Sequence, residues 1–367
     1  MKQKHYYLLL KYLNLFSSPV WLKLIKKAGN IEKLFKTSKG FLSNIRGLKK
    51  NKIDKFINKR NEIEIDKILE QLEKKKIKFV SINCDNYPSL LKNIYDPPLV
   101  LFYKGNEINN NKINLGVVGT RKISSYGKKV TKKIVSNLDK NIYSVVSGMA
   151  LGIDKEAHKN ALDNNIYTVA VLGCGVDYIY PRSNHKLYKK IIEKGTVISE
   201  FLPGSSPKPY RFPLRNRIIS GMSKGVLVIE GTKKSGSLIT ARSALDQNRD
   251  VFAVPGNIFF RNSRGTNYLL KQGAFPVVKA KDIDKYWKIK SEIKSKEKKL
   301  KIDFNNEEKK VIKVMNPIKA LTIDDIYLKL SGEIELTEIM TVLFKLKLKE
   351  VVEELPGKKF VLYDEIF

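Results

Sequence analysis

Three arginines fall within seven residues in the segment RFPLRNRIIS at positions 211–220. Prolines, a glycine and serines fill the preceding segment 203–209, which predicts a loop. The apolar spacing after Pro213 predicts a helix, so the arginines would lie in the loop and the first helical turn. The positive end of a helix dipole disfavours cations there. We therefore expect an anion at this position, and phosphate fits because guanidinium groups bind it bidentately.

The elements that would position these arginines begin at residue 113. Apolar runs predict strands at 113–118, 142–146, 167–172, 196–200 and 225–230, and in DVFAVPG and AFPVV. Helix-length segments between them lie at 126–140, 152–164, 183–194, 215–223 and 237–248. Continuous Val and Ile runs that are each followed by a crossover are typical of a parallel sheet buried on both faces. The pattern predicts a doubly wound α/β domain.

Ligands of such sheets bind outside the carboxyl ends of the strands. Most loops at that edge are rich in glycine, and three carry Arg or Lys: 119–127, the loop that leads to Arg215, and 231–237. Glycines let main-chain N–H groups approach an anion closely, and helix N-termini favour it. Phe212 and Tyr126 beside these basic loops suggest base stacking, a combination used for single-stranded nucleic acid.

Other interpretations of these residues stay open. Arg215 and Arg217 could instead pair with Glu200 and Glu230 at the ends of two predicted strands. Asp154 and His158, four residues apart on one helix, could bind a metal, but the chain has only three histidines and two cysteines. The loops lack the glycine spacing of a dinucleotide site and the lysine of a Walker motif. We expect neither a metal nor a cofactor.

The composition is that of a strongly basic globular protein. The chain has 367 residues and a net charge of +33, which favours binding to a polyanion such as nucleic acid. An A+T-rich genome, which enriches lysine, would also produce this charge. No apolar run approaches the length of a membrane span. Two distant cysteines exclude a disulfide scaffold and are compatible with the reducing cytoplasm.

Three domains are predicted along the chain. Helical spacing over 1–75 predicts a small helical domain that suits sterile-alpha-motif or helix-hairpin-helix modules. The α/β domain covers 76–285 with a lead-in at 76–112, and a charged linker follows at 286–302. Three helices and a hairpin in 303–367 predict a winged-helix domain. Three glutamates, Glu333, Glu335 and Glu338, open its third helix and oppose docking on phosphates, so a role in protein contact is favoured.

A series of motifs resembles the DprA/Smf family, the DNA-processing proteins of bacterial natural transformation. The motifs include VVGTRKISSYG, VVSGMALGIDKEAH, FPLRNRIISGMS and GTNYLLKQGA, in family order across 115–278. The resemblance implies an extended Rossmann-like domain without catalytic activity that binds single-stranded DNA in a basic pocket. It also implies a homodimer through this domain, and loading of RecA recombinase onto incoming strands.

Carried over by motif, the family's DNA-binding residues lie in loops at one edge of the sheet. The first motif would hold a phosphate, Phe212 would stack against a base, 215–217 would clamp the backbone, and 234–237 would form a second phosphate site. The full set is Gly119, Thr120, Arg121, Ser147, Gly148, Lys208, Arg211, Phe212, Arg215, Asn216, Arg217, Lys234, Ser235, Gly236 and Ser237.

A rival function belongs to a different class. The fold also resembles nucleotide-ribose hydrolases or nucleotide-sensing domains of the lysine-decarboxylase-like group. Such hydrolases use a glutamate beside a PGGxGT loop, and the nearest segment here, VPGNIFF at 254–260, lacks the second glycine and the threonine. Glu200 and Glu230 at strand ends keep this alternative open.

Overall fold

The computed structural model describes residues 1–289, 304–316, 320–349 and 351–362. The chain divides into two compact units, Met1–Ser291 and Glu292–Phe367. The predicted linker at 286–302 lies mostly outside the described residues. Within the described ranges, no helix combines the length and apolar character needed to cross a membrane.

Six helices occupy the first 74 residues: α1 (Gln3–Leu13), α2 (Ser18–Ala28), α3 (Ile31–Lys36), α4 (Lys39–Ser43), α5 (Lys50–Lys59) and α6 (Ile65–Lys74). Asn30 and Ser38 cap α3 and α4 by accepting main-chain N–H bonds. Trp21 and Phe56 pack edge to face in their core, with ring centroids 5.3 Å apart. This core continues onto the sheet, so these helices share buried surface with it.

Nine strands form the sheet: β1 (Lys78–Ser81), β2 (Val100–Gly105), β3 (Ile113–Val118), β4 (Tyr143–Ser147), β5 (Tyr167–Val171), β6 (Thr196–Ser199), β7 (Gly225–Val228), β8 (Asp250–Ala253) and β9 (Phe275–Pro276). Their order is β1-β2-β6-β5-β4-β3-β7-β8-β9. Strands β3 to β9 pair in parallel, and β2 pairs antiparallel with both of its neighbours. The predicted, mostly parallel α/β sheet is confirmed.

Helices connect the strands and cover both faces: α7 (Ser89–Lys92), α8 (Ser125–Val135), α9 (Ile153–Asp163), α10 (His185–Lys194), α11 (Arg211–Met222), α12 (Gly236–Asp246), α13 (Arg264–Lys271) and α14 (Ala280–Trp287). Successive strand residues point to opposite faces. Val117 therefore joins the core beneath α8 and α9, whereas Val118 joins the core beneath α11 and α12. The sheet is buried on both sides, which explains why its strands are apolar throughout.

The chain changes direction across the sheet at β3. From β3 it proceeds through β4, β5 and β6 to one side, and β7, β8 and β9 then extend the other side. The crevice between β3 and β7 is therefore the topological switch point, where open α/β sheets bind their ligands. The loops at 119–124 and 231–235 flank this crevice.

The second unit contains α15 (Asn306–Val314), β10 (Leu321–Thr322), α16 (Ile323–Lys329), α17 (Leu336–Leu348), β11 (Val352–Leu355) and β12 (Lys359–Leu362). Its strands form a small antiparallel sheet in the order β10-β12-β11. Val311, Ile339 and Leu346 are among the buried residues of its own hydrophobic core.

Candidate functional site

The loop after β3 is pressed against two neighbouring loops. The Thr120 N–H donates to the Glu230 carbonyl at 2.8 Å, and the Ile153 N–H donates to the Thr120 carbonyl at 3.2 Å. A Cβ atom on Gly119 would lie 2.5 Å from the Ile153 side chain, so only glycine fits there. This packing leaves Arg121 exposed at the tip of the loop, beside the switch point.

Glu230 at the end of β7 stabilises the start of α8. Its carboxylate accepts bonds from the Ser124 N–H at 3.1 Å and from the Ser124 hydroxyl. The carboxylate fits there because Gly127 has no side chain: a Cβ atom on Gly127 would lie 2.2 Å from it. A carboxylate at a helix N-terminus is favoured by the helix dipole. Glu230 therefore positions the start of α8 and does not pair with Arg215.

Arg215 lies beneath the loop after β4 and has only 4% of its surface exposed. Its Nη1 donates to the Gly148 carbonyl at 2.7 Å and to the Val171 carbonyl, and its Nε donates to the Asn216 side chain at 3.2 Å. A Cβ atom on Gly148 would lie 2.5 Å from the guanidinium. The side chain thus holds the main chain at the ends of β4 and β5, and its guanidinium is buried. The predicted contact of Arg215 with phosphate stays a prediction.

Asp154 accompanies Arg215 in the interior. Its carboxylate accepts the Gly148 N–H at 3.2 Å, so both groups grip the same glycine. Burial lowers the pKa of Arg215 to about 10, and the nearby Asp154 carboxylate opposes that change. Burial likewise raises the pKa of Asp154, which Arg215 counteracts. Each charge offsets part of the desolvation penalty of the other.

His158 follows Asp154 by one helical turn on α9, but the two side chains bond to different residues. Its Nδ1 lies 2.7 Å from the Thr168 hydroxyl, and burial lowers the pKa of the imidazole to about 3. Within the described ranges, no three His, Cys, Asp or Glu side chains are grouped as a metal would require. The Asp154–His158 pair, which the sequence left open as a metal site, is divided between two buried networks.

Arg217 is engaged by two carboxylates. Its guanidinium lies 2.7 Å from Glu200 and 3.3 Å from Asp96. Of the ion pairs that the sequence offered between these arginines and the strand-end glutamates, the structure contains Arg217 with Glu200. Arg215 and Glu230 have other partners. Arg217 connects α11 to the end of β6 and to the lead-in segment, and its charge is largely neutralised by these partners.

The helix α11 begins at Arg211, earlier than predicted, because proline is tolerated in a first helical turn. Phe212 is half-buried and lies against Gly173, where a Cβ atom would come within 2.8 Å of the ring. The Tyr180 ring lies 5.4 Å away from the Phe212 ring, and the Arg121 guanidinium lies 5.6 Å from it. The fold thus brings together a cation and two aromatic rings from two loops and the first turn of α11.

Arg211 and Lys208 lie at the margin of this cluster. Arg211 donates to the Ser206 carbonyl at 2.8 Å and its guanidinium lies 4.8 Å from the Phe201 ring. Lys208 is exposed in the loop before α11. Ser147, by contrast, is buried and donates its hydroxyl to the Val117 carbonyl at 2.7 Å. Of these residues, Lys208 presents its charge most openly to solvent.

The start of α12 forms the other side of the switch point. Ser235 caps the helix by accepting the Ser237 N–H, and the two hydroxyl groups lie 2.8 Å apart. Gly236 is open to solvent, and Lys234 is exposed beside it. Asn216 donates to the Gly236 carbonyl at 3.3 Å and so connects α11 to this terminus. The terminus combines a positive helix end with a free lysine, which suits an anion.

Sequence reasoning missed two contributors to this edge. Tyr180, whose ring is tilted against the Phe212 ring at 5.4 Å, lies in the glycine-rich loop after β5. The segment 255–263 after β8 borders the switch point, because the Gly231 N–H donates to the Asn262 carbonyl at 2.7 Å. Three consecutive large apolar residues in a predicted loop, Ile258 to Phe260, could have pointed to this segment from the sequence.

The fold and this edge define a doubly wound α/β protein with a basic, glycine-rich edge at its switch point. A model of the family described as DNA recombination-mediator protein A matches residues 78–288. The chain belongs to this family, and the resemblance recognised in the motifs is confirmed.

Relatives are found in several bacteria. The chain is 40% identical to DNA processing protein DprA of Bacillus subtilis over 235 residues, covering 64% of this chain and 77% of that protein. It is 39% identical to Protein Smf of Synechocystis over 261 residues, covering 70% of this chain and 66% of that protein.

Two solved structures are similar to the fold. The X-ray structure of DNA processing protein A from Streptococcus pneumoniae has a TM-score of 0.69 at 37% identity and covers 77% of this chain and 98% of its own. DNA processing protein A from Helicobacter pylori, solved to examine its single-stranded DNA binding mode, has a TM-score of 0.53 at 30% identity, covering 58% and 95% of the two chains.

Proposed function

We propose that the carboxyl edge of the sheet binds single-stranded DNA. The observation that carries this is the placement of exposed Arg121 and Lys234 on the two sides of the switch point, with the Phe212 ring 5.6 Å from the Arg121 guanidinium and the Tyr180 ring beside Phe212. Unpaired cations attract phosphates, and aromatic faces stack on bases that a single strand leaves open. The single-stranded DNA binding studied in the Helicobacter pylori relative supports the same ligand.

The residues of the site divide into two groups under this proposal. Gly119, Thr120 and Arg121, with Lys234 to Gly236, form the group that contacts phosphates, chiefly through the cations of Arg121 and Lys234. The N–H groups of Thr120 and Ser235 are already bonded to the carbonyls of Glu230 and Thr232, so these two residues would contribute their hydroxyl groups. Arg215 and Asn216 position the loops from beneath, since their polar atoms are already bonded to the main chain. Arg217 stabilises the base of α11 through Glu200.

The bonds of the strand-end carboxylates support a role without catalysis. A hydrolase at this edge would need a free carboxylate at a strand end. Glu200 is paired with Arg217, and Glu230 caps α8. These engagements favour a binding role over a nucleotide-ribose hydrolase. We propose that the protein acts in the cytoplasm, protects incoming DNA and loads RecA onto it during natural transformation and recombination.

A homodimer through the Rossmann-like domain belongs to this proposal. The β9 edge of the sheet carries no further strand within the described residues. Tyr268 and Val278 near that edge are exposed. Exposed apolar side chains beside an open sheet edge favour pairing with another chain.

The function is tested by an affinity titration with single-stranded and duplex DNA of equal length across a salt series. The single strand is expected to bind about tenfold more tightly or better, because duplex pairing hides the base faces that the rings would stack on. Each neutralised phosphate should contribute about −0.7 to the slope of log affinity against log salt. Equal affinities, or a flat salt dependence, would contradict the proposal.

We propose further that residues 303–367 form a winged-helix domain that contacts protein, and that 1–75 form a helical module of the sterile-alpha-motif or helix-hairpin-helix type. The third helix of the C-terminal unit, α17, exposes Leu336, Met340, Phe344 and Leu348, which are spaced by four residues on one side. Glutamates open the same helix. An apolar stripe beside carboxylates suits a protein surface better than phosphates.

Deleting residues 303–367 is therefore expected to leave single-strand affinity within about threefold of the full chain, a change of less than 1 kcal/mol. The cations and rings assigned to DNA all lie before residue 290. The comparison uses the same oligonucleotide and salt, with circular dichroism of the shortened chain as the control for folding. A hundredfold loss would show that this unit contributes directly to DNA binding.

A further inference from the structure

Three consecutive large apolar side chains are exposed in the loop between β8 and α13. The exposed fractions are 72% for Ile258, 83% for Phe259 and 64% for Phe260. Neither phenyl ring forms a ring contact with another residue of the described chain. Large apolar side chains that cluster on a surface usually mark a binding site.

The loop is held in a defined conformation by its own polar groups. The Asn267 side chain accepts the Gly256 N–H at 3.2 Å and donates to the Gly256 carbonyl at 2.9 Å. Asn257 accepts the Phe259 N–H at 2.9 Å, and the Phe260 N–H donates to the Asn257 carbonyl at 3.1 Å. The two phenyl rings are thus presented from a tight turn, which reduces the ordering cost of binding.

The same loop is bonded to both sides of the switch point. Asn262 donates its side-chain N–H to the Lys122 carbonyl at 3.1 Å and accepts the Gly231 N–H through its own carbonyl. The Tyr126 hydroxyl donates to the Pro255 carbonyl at 2.7 Å. The rings are therefore tied to the two loops proposed to hold phosphates.

The strand order places the rings along the line of those phosphate sites. Phe212 lies against Gly173 after β5, Arg121 follows β3, Lys234 follows β7, and Phe259 follows β8. Strands β5 and β8 are four neighbours apart, or about 19 Å at about 4.8 Å per strand. Aromatic rings thus lie at both ends of a basic row that a short oligonucleotide can span.

The charge around the rings favours a polyanion. Arg261 and Arg264 follow the rings in the chain, both are exposed, and neither forms an ion pair with a described residue. The segment 255–264 contains no Asp or Glu. Two copies of this loop packed against each other would bring like charges together, so the loop itself suits a polyanion better than a contact with its own copy.

We propose that Phe259 and Phe260 form a second base-stacking platform, which extends the single-stranded DNA site beyond the switch point. This inference rests on the proposed function. Bases stack on aromatic side chains with little sequence preference because every base has a π-face. Arg261 and Arg264 would contact the phosphates of the same nucleotides.

The test is the double variant Phe259→Ala/Phe260→Ala, compared with the wild type on a 20-nucleotide strand and on an abasic strand of equal length. The variant is expected to lose about five- to a hundredfold in affinity for the normal strand. It should bind the abasic strand like the wild type and keep the same salt slope, because no phosphate contact is removed. Phe41→Ala, a partly exposed ring on α4, is the matched control.

A second variant reports contact directly. The emission of Phe259→Trp should be quenched by the oligonucleotide and unaffected by inorganic polyphosphate. Normal affinity of the double variant, or a change in its sedimentation without a change in DNA affinity, would overturn the platform and assign the loop to a protein contact. A wild-type chain that binds neither strand would overturn the proposed function as well.

Discussion

The Arg215→Ala variant is expected to lose about 3–5 kcal/mol of its free energy of unfolding. Removing the guanidinium leaves the Asp154 carboxylate buried without its counter-charge, and the carbonyls of Gly148 and Val171 lose a donor. Removing one partner of a buried hydrogen bond lowers the free energy of unfolding by more than the bond itself contributed, because the other partner stays buried away from water.

Chemical denaturation monitored by circular dichroism measures this loss. Arg121→Ala, which removes an exposed arginine, is the matched control and should unfold like the wild type within about 0.5 kcal/mol. The double variant Arg215→Met/Asp154→Leu should recover much of the loss, because it removes both buried charges together. If Arg215→Ala unfolds normally but binds DNA poorly, Arg215 contacts phosphate directly, as the sequence predicts.

The Arg121→Ala variant is expected to bind single-stranded DNA about ten- to a hundredfold more weakly. A charge-assisted hydrogen bond contributes about 1.5–3 kcal/mol, which corresponds to that range. Its salt slope should become shallower by about 0.7, because one phosphate contact is lost. Arg121→Lys should recover only part of the affinity, since an ammonium group lacks the planar fork.

Phe212→Ala separates stacking from charge in the same titration. It should weaken binding by about 1–3 kcal/mol while the salt slope stays near the wild-type value. An unchanged slope in Arg121→Ala would mean that the guanidinium acts on the Phe212 ring, 5.6 Å away, and not on DNA.

Much of the α/β unit could be predicted from local pattern. A strand buried on both faces must be apolar throughout, and a crossover helix must follow it, so β3 to β7 and α8 to α12 could be located within a few residues. Their motifs were also sufficient to recognise the family. The loops at the carboxyl edge follow from this topology, because parallel strands end at the same edge.

The fate of each arginine was decided only by the tertiary structure. Arg121, Arg215 and Arg217 look equivalent in sequence, as cations near glycine loops and helix starts. Arg215 can be buried because its guanidinium donates hydrogen bonds to the carbonyls of Gly148 and Val171, which are 67 and 44 residues away in the chain. The charge of Arg217 is offset partly by Asp96, 121 residues away. Local sequence determines where a charge can form a bond, but partners so distant are brought to it only by folding.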